Sequence, residues 1–368
     1  MANEFVTVKT IARQTLPRLM ENLVFPNLIH KDYSNDFVNG QGETIQVKKP
    51  VILKADEFDK SAGVTAQDVK EQSVPVTLDK IATVDVEFSA VEKATSVDDI
   101  DRLFAIPAAA ALAEKINSDG LELYKDIPYV VGTAGTTPST LGDIANVRKA
   151  LNVQKVPVAG RVAVWDPDAD ANFTTIPAIV NAEKAGTTDA LREGSIGRIF
   201  GLDNYMSQAV KTHKKGTLSA DVKPKAAVSA GATSVALAAT AVTGTLVKGD
   251  VLTILGDTYV VKNTATAESN EITVDIYPAL KKDIKTSTAV TVAGDHTANL
   301  AFNPNAFAFV TRPLTAPAGV ESYVTSYNGI SLRVVRGYNM QYKKEMLSMD
   351  VLYGYKTMYE ELAVRVLG

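Results

Sequence analysis

Along residues 4–30 apolar side chains return near helical spacing: Ile11, Leu16, Leu19, Met20 and Leu23. That period predicts a helical arm, with Pro17 as a kink and Pro26 as a stop. The period then drops to two. Ile45 and Val47 share a face of Glu43–Val47, while Val84, Val86 and Phe88 share a face of Leu78–Phe88, opposite Thr83, Asp85 and Glu87. These runs read as the two strands of one hairpin. Between them Lys54–Val76 is polar and carries Gly63 and Pro75, a long excursion of the kind that is functional or mobile.

Ser96–Asp99 has capping-box spacing, and Asp98, Asp99 and Asp101 suit the positive end of a helix dipole. Ile100, Leu103, Phe104, Leu112, Ile116 and Leu123 then predict an amphipathic helix to about Tyr124, kinked or restarted at Pro107. Thr140-Leu-Gly-Asp143 predicts the start of another helix, bearing Ile144, Val147 and Leu151. Arg161–Trp165 reads as a short buried strand. Helices and strands mixed in this way predict an α+β fold.

After His213 the texture changes. Residues 222–297 hold no Phe, Trp, Met or Arg, and their seven Lys balance seven acids. Val, Thr, Ala and Gly alternate in short runs at Ser234–Leu237, Val251–Leu255, Thr258–Val261, Ile272–Tyr277 and Ala289–Val292. Leu255-Gly-Asp-Thr258 joins two of them as a tight hairpin, with Gly256 supplying a positive φ. The segment is expected to be a small all-β, barrel-like insert in a discontinuous host. From Asn299 the earlier style returns, with strands expected at Ala306–Val310, Ser331–Val335 and Met349–Tyr353.

The 368 residues suit about two or three domains. Hydrophobic residues at 46% can build a core, and a net charge of −4 is a poor footprint for a dedicated nucleic-acid binder. With no cysteine, disulfides, zinc–thiolate sites and a cysteine nucleophile are excluded. The first residues lack the basic and apolar regions of a signal peptide, and the longest near-apolar run, Leu103–Ala113, falls short of the ~18 residues of a membrane span. A soluble chain made in a reducing cytosol is expected, with no membrane partner.

Motifs for chemistry are sparse. Asp166-Pro-Asp-Ala-Asp170 has the 1-3-5 carboxylate spacing of a calcium loop, but the sixth position is Ala171 and the twelfth Pro177, so acids at a helix start are the better reading. Gly132-Thr-Ala-Gly-Thr-Thr137 lacks the lysine of a phosphate loop. His30, His213 and His296 fall in no metal-binding pattern, and no Gly-x-Ser-x-Gly elbow occurs. No catalytic residue, cofactor or metal is expected, and the chain does not read as an enzyme.

Several segments, in order, resemble one family: ENLVFPNLIHKDYSNDF, GETIQVKKP, LFAIPAAAALAEKINSDGL, GTAGTTPST, GSIGRIFGLDNYMSQAVKTH and LAFNPNAFAFVTRPL. Together they are similar to the coat proteins of short-tailed phages of the Salmonella podophage type. The resemblance implies the α+β Hong Kong 97 capsid fold with an inserted β-domain. It divides the chain into an N-terminal arm (1–37), an extended loop (38–88), a peripheral domain with the spine helix (89–124), an axial domain (125–221 and 298–325) interrupted by the insert (222–297), and peripheral C-terminal strands (326–368). It implies a major capsid protein of the virion, assembled in the host bacterial cytoplasm. Its partners would be itself, in hexamers and pentamers, a scaffolding protein and a portal protein, around double-stranded DNA held without sequence-specific binding. The alternative on the same fold is an encapsulin-like shell enclosing protein cargo.

Such a shell needs contacts between copies. The arm and the polar hairpin are expected to bury little within their own subunit and to be ordered across interfaces. Lys54–Glu87 carries eight acids against four lysines, whereas the C-terminal segment carries Arg333, Arg336, Lys343 and Lys344 with little acid close by in sequence. Asp56, Glu57 and Asp59 of one subunit are therefore expected to face those four basic residues of its neighbour.

Overall fold

A computed structural model of the chain describes residues 8–31, 43–49, 72–89, 105–181, 183, 186, 189–219, 221–342 and 344–368. Two compact units emerge, one from residues 1–16, 31–108 and 308–358, the other from 17–30, 109–307 and 359–368.

The first unit is built on an antiparallel sheet. Lys344–Thr357 lies between Ile330–Asn339 and Lys80–Ser89, and Glu321–Tyr327 pairs with Ile330–Asn339. Leu332, Val334, Met349, Val351 and Tyr353 are among its buried positions. Tyr327 pairs with Ile330, so the turn is the two residues Asn328-Gly329, with φ of 49° and 76°. Both are left-handed, as the hairpin twist requires, and Asn-Gly is the pair that tolerates it best.

This sheet corrects the expected hairpin. Thr44–Lys49 pairs with Gln72–Thr77, and Lys80–Ser89 instead joins Lys344–Thr357. The strand was hidden by polar Gln72 and Ser73 and by Pro75, which sits opposite Gln46. Proline is tolerated because each strand of a two-stranded ribbon has an open side that needs no N–H. The hairpin leaves at a tight crossing. A Cβ at Gly354 would lie 2.0 Å from the Thr77 carbonyl oxygen, so only glycine fits.

The second unit holds a seven-stranded sheet whose main order is Val130–Gly132, Ala363–Leu367, His296–Phe302, Val162–Trp165, Leu202–Met206 and Arg198–Ile199. Its three central strands are buried throughout or nearly so. The capping box at Thr140 and Asp143 starts the helix Leu141–Val153 as expected. That helix lays Ile144, Val147 and Leu151 on the sheet with Trp165, Phe173 and Val364. Phe25, Phe302 and Phe307 pack together with ring centroids 5.2–5.6 Å apart. Asn117 secures the residues just before them: its Oδ1 accepts from the backbone N–H of Val24 and Phe25, and its Nδ2 donates to Asn22.

Two further expectations change here, and at Pro107 the structure shows the restart, one of the two expected outcomes. The arm helix, Val8–Asn22, buries Val8, Ile11, Leu16 and Leu19 within the chain, so it is no free arm. Pro107 stands in the first turn of Ile106–Leu121 and opens the helix, a position where its missing N–H costs nothing; 97–104 lie outside the described residues. Ala363–Leu367 leaves the sheet of the other C-terminal strands and fills a central position in this one. Its all-buried pattern needs cover on both faces, which a central strand has.

The insert folds as expected in kind. Six strands run in the order Val290–Val292, Val251–Ile254, Asp257–Val261, Glu271–Tyr277, Ser234–Ala238 and Lys223–Pro224, with Thr245–Leu246 paired to Ala265–Thr266. They enclose their own core of Val235, Leu237, Leu252, Ile254, Val261, Ile272, Val274 and Ile276, among others. The turn Leu255-Gly256 has φ of 52° and 83°, a primed two-residue hairpin. The chain crosses into and out of the insert side by side, His213 pairing with His296 and Thr212 with Thr297. The insert's hydrogen bonding starts before residue 222, since Leu218 and Ser219 donate to Thr245 and Thr243.

Candidate assembly site

Asp56, Glu57, Asp59 and Lys343, four of the seven residues expected at a contact between copies, lie outside the described residues. Arg333, Arg336 and Lys344 stand on the first unit's sheet, and acids meet them there. Arg333 faces Asp350 in register and donates to it from Nε at 3.0 Å and Nη2 at 2.5 Å. Arg336 binds Glu345 on the next strand and lies 3.8 Å from Glu321. Lys344 donates to Glu87 at 2.8 Å. The basic stretch with little acid close by in sequence is thus matched by acids that the sheet brings in.

Exposed apolar side chains gather in two places. One is the hairpin carrying Tyr338, Met340, Tyr342 and Met346; the other is the segment with Leu191, Phe200, Tyr205 and Met206. Clustered exposed apolar residues mark surfaces that meet another molecule.

A buried polar cluster at the root of the insert was not foreseen. Tyr124, His213, Asp250, His296 and Arg365 are all at most 3% exposed. Asp250 accepts from His213 Nε2 at 2.9 Å and from the backbone N–H groups of Gly216 and Val247. A carboxylate can only accept, so His213 donates from Nε2, and its Nδ1 is hydrogen-bonded to Tyr124 Oη at 3.0 Å. Arg365 stands 4.4 Å over the Tyr124 ring and donates to the Gly249 carbonyl at 2.7 Å and to His296 Nε2 at 2.5 Å. His296 is then neutral, its Nδ1–H donating to Gly294. Burial and the adjacent guanidinium hold its pKa down at about 4. Burial lowers Arg365 as well, to about 10. Gly249 has φ 95°, and a Cβ there would meet the Lys125 side chain at 2.8 Å.

Three outer contacts add to this root. Thr258 donates to the Pro128 carbonyl at 2.7 Å, Lys248 pairs with Asp126 at 2.9 Å, and Tyr277 donates to Glu361 at 3.0 Å. Burial and the two glutamates raise the Tyr277 phenol far above its ordinary value. Asp166, Asp168 and Asp170 occupy the N-cap and first turn of the helix Pro167–Thr174. Among the described residues no group of three or more His, Asp or Glu could hold a metal ion. These buried contacts link the β-domain to the strands of its host.

No model of a known protein family matches the sequence. Over 94% of its length the chain is 20% identical to a major capsid protein of Acyrthosiphon pisum secondary endosymbiont phage 1, covering 94% of that protein. A solved structure of Mycobacterium phage Che8 superposes with a TM-score of 0.57 at 15% identity, covering 94% of this chain and 90% of that one. The capsid structure of cyanophage P-SCSP1u gives 0.52 at 12%, covering 94% and 88%. The chain therefore has the Hong Kong 97 type capsid fold, and it is similar along nearly its whole length to a phage major capsid protein.

Proposed function

We propose that this chain is the major capsid protein of a tailed phage, self-assembling into the closed shell of the virion. The observation that carries this is coverage: the likeness to a major capsid protein spans 94% of both chains. A net charge of −4 suits a wall around double-stranded DNA better than a condensing agent that grips it. In the same reading the subunits form hexamers and pentamers in the host cytoplasm, guided by a scaffolding protein and interrupted at one vertex by a portal protein. A charge contact from Asp56, Glu57 and Asp59 to a neighbour's Arg333, Arg336, Lys343 and Lys344 belongs to this reading. For the two arginines it would work by exchange, since Asp350, Glu321 and Glu345 already hold them.

Negative-stain microscopy of the purified chain, alone and with a co-expressed scaffolding protein, tests the proposal. Closed shells of uniform size are expected. A monodisperse monomer under every condition at high concentration would overturn it. Shells isolated from the phage that hold protein cargo and no DNA would point to an encapsulin-like compartment instead.

A further inference from the structure

The second unit carries a hollow of about 460 Å³ beside a strongly exposed apolar side chain, Leu191. Leu141, Ala178, Ile179, Ala190, Ile196 and Ile199 line it with apolar surface. Arg198 and Phe200 also line it and are themselves exposed. Leu191 is the neighbour of a lining residue but does not line the hollow, and it stands 69% exposed on the short helix Asp189–Glu193. An apolar knob and a hollow of mixed lining, apolar with Ser195 and Arg198 among it, thus lie on one chain, and the knob does not fill its own hollow.

We propose that Leu191 of one copy seats in this hollow of the next copy, a head-to-tail contact repeated around each ring of the shell. The inference rests on the shell-forming reading above and adds the residues of one interface. A contact between two different patches of the same chain closes into a ring when its rotation permits, as a capsomer requires.

Charge fits the same pairing. Leu191 is followed by Arg192 and Glu193, both exposed. Arg198 at the hollow is exposed and lies 3.6 Å from Asp203, which is partly exposed. An incoming Arg192-Glu193 pair meets them with opposite signs, Glu193 to Arg198 and Arg192 to Asp203. Phe200 supports a role for the rim. It occupies a left-handed conformation, φ 49°, in the two-residue turn Phe200-Gly201. A bulky side chain there is strained, and asparagine would be at ease. The strain is accounted for if the ring is needed at the edge of the hollow.

The absence of cysteine from the chain makes the test clean. Leu191→Cys and Ala178→Cys chains are co-assembled into shells and oxidised. Disulfide-linked dimers are expected on non-reducing gels from the mixture and not from either variant alone. Shells that form but yield no dimer from the mixture would overturn the contact. Phe200→Asn gives a second readout: the subunit's melting temperature is expected to hold or rise while shell yield falls at least tenfold. Unchanged yield counts against the proposal, and this comparison decides if a cysteine variant does not assemble. A wild-type chain that forms no shell at all removes the underlying function and this contact together.

Discussion

Arg365 on the last strand donates to the carbonyl oxygen of Gly249 in the inserted domain at 2.7 Å, inside the protein and away from water. The same guanidinium serves His296, so one side chain ties the end of the chain to both sides of the insert's root. Arg365→Met keeps most of the volume and removes both bonds. The Gly249 carbonyl and His296 Nε2 are left without their donor, each at a cost of about 1–3 kcal/mol in urea unfolding. Arg365→Lys should recover little, because an ammonium cannot span both acceptors as the planar fork does. Hydrogen exchange at 247–250 should rise in both variants.

His296 makes the same root sensitive to acid. Unfolded, its imidazole titrates near the ordinary 6.5; folded, it is held at about 4. Above pH 6.5 neither state binds the proton and stability is unaffected. As pH falls from 6.5 towards 4 the unfolded chain takes up a proton that the fold excludes, and stability drops by about 1.4 kcal/mol per unit, about 3 kcal/mol in all. His296→Gln should flatten this part of the stability–pH curve, as read by chemical unfolding at pH 7.0, 5.5 and 4.5.

Gly354 is fixed by the Thr77 carbonyl oxygen, which stands where its Cβ would be. Gly354→Ala forces backbone against backbone and should destabilise by about 1–3 kcal/mol or more. Gly337→Ala in the neighbouring strand meets nothing within 4 Å and should stay within about 0.5 kcal/mol. Equal melting shifts for the two would contradict the tight crossing.

Arg333→Glu should weaken the isolated subunit before any assembly, because it leaves Asp350, itself 5% exposed, facing a like charge. About 2–3 kcal/mol is expected in urea unfolding. Lys344→Glu breaks a half-exposed pair with Glu87, worth no more than about 1 kcal/mol. Assembly defects in these variants are interpretable only against those monomer values.

The insert should fold by itself if cut where its hydrogen bonds end. Residues 215–297 retain the bonds of Leu218 and Ser219 to Thr245 and Thr243 and both backbone donors to Asp250. A cooperative melt with a β-rich spectrum is expected, marginal in stability as suits a domain of this size. Residues 222–297, lacking that edge, should melt lower. A random-coil spectrum for the longer piece would refute autonomy.

The sequence made the insert legible because its alternation and its turn chemistry agreed: Leu255-Gly256 and the strands around it stand where they were read. Thr140 and Asp143 were equally plain, since a capping box acts through residues three apart. Asn328-Gly329 is a strong hairpin signal in the sequence, and the turn stands on it. Ala363–Leu367 was obscured by Arg365, a charge in the middle of what proved a fully buried strand. The root cluster could not have been read, for residues 124, 213, 250, 296 and 365 share no spacing and meet only through topology. The exposed partners of Arg336 and Lys344 were misjudged for the same reason: Glu321 and Glu87 arrive on other strands.

Because His213 and His296 face each other across one antiparallel pair, the chain leaves and re-enters its host only about 5 Å apart. The host strands hardly need to know what lies between those two points. A short turn in place of the whole module would close the ring at little entropic expense. So would any foreign domain whose own ends lie side by side, provided that something else satisfied Arg365. The position is a socket, through which the lineage could acquire, lose or exchange a module without redesigning the shell, and through which an engineer could mount a passenger on every subunit.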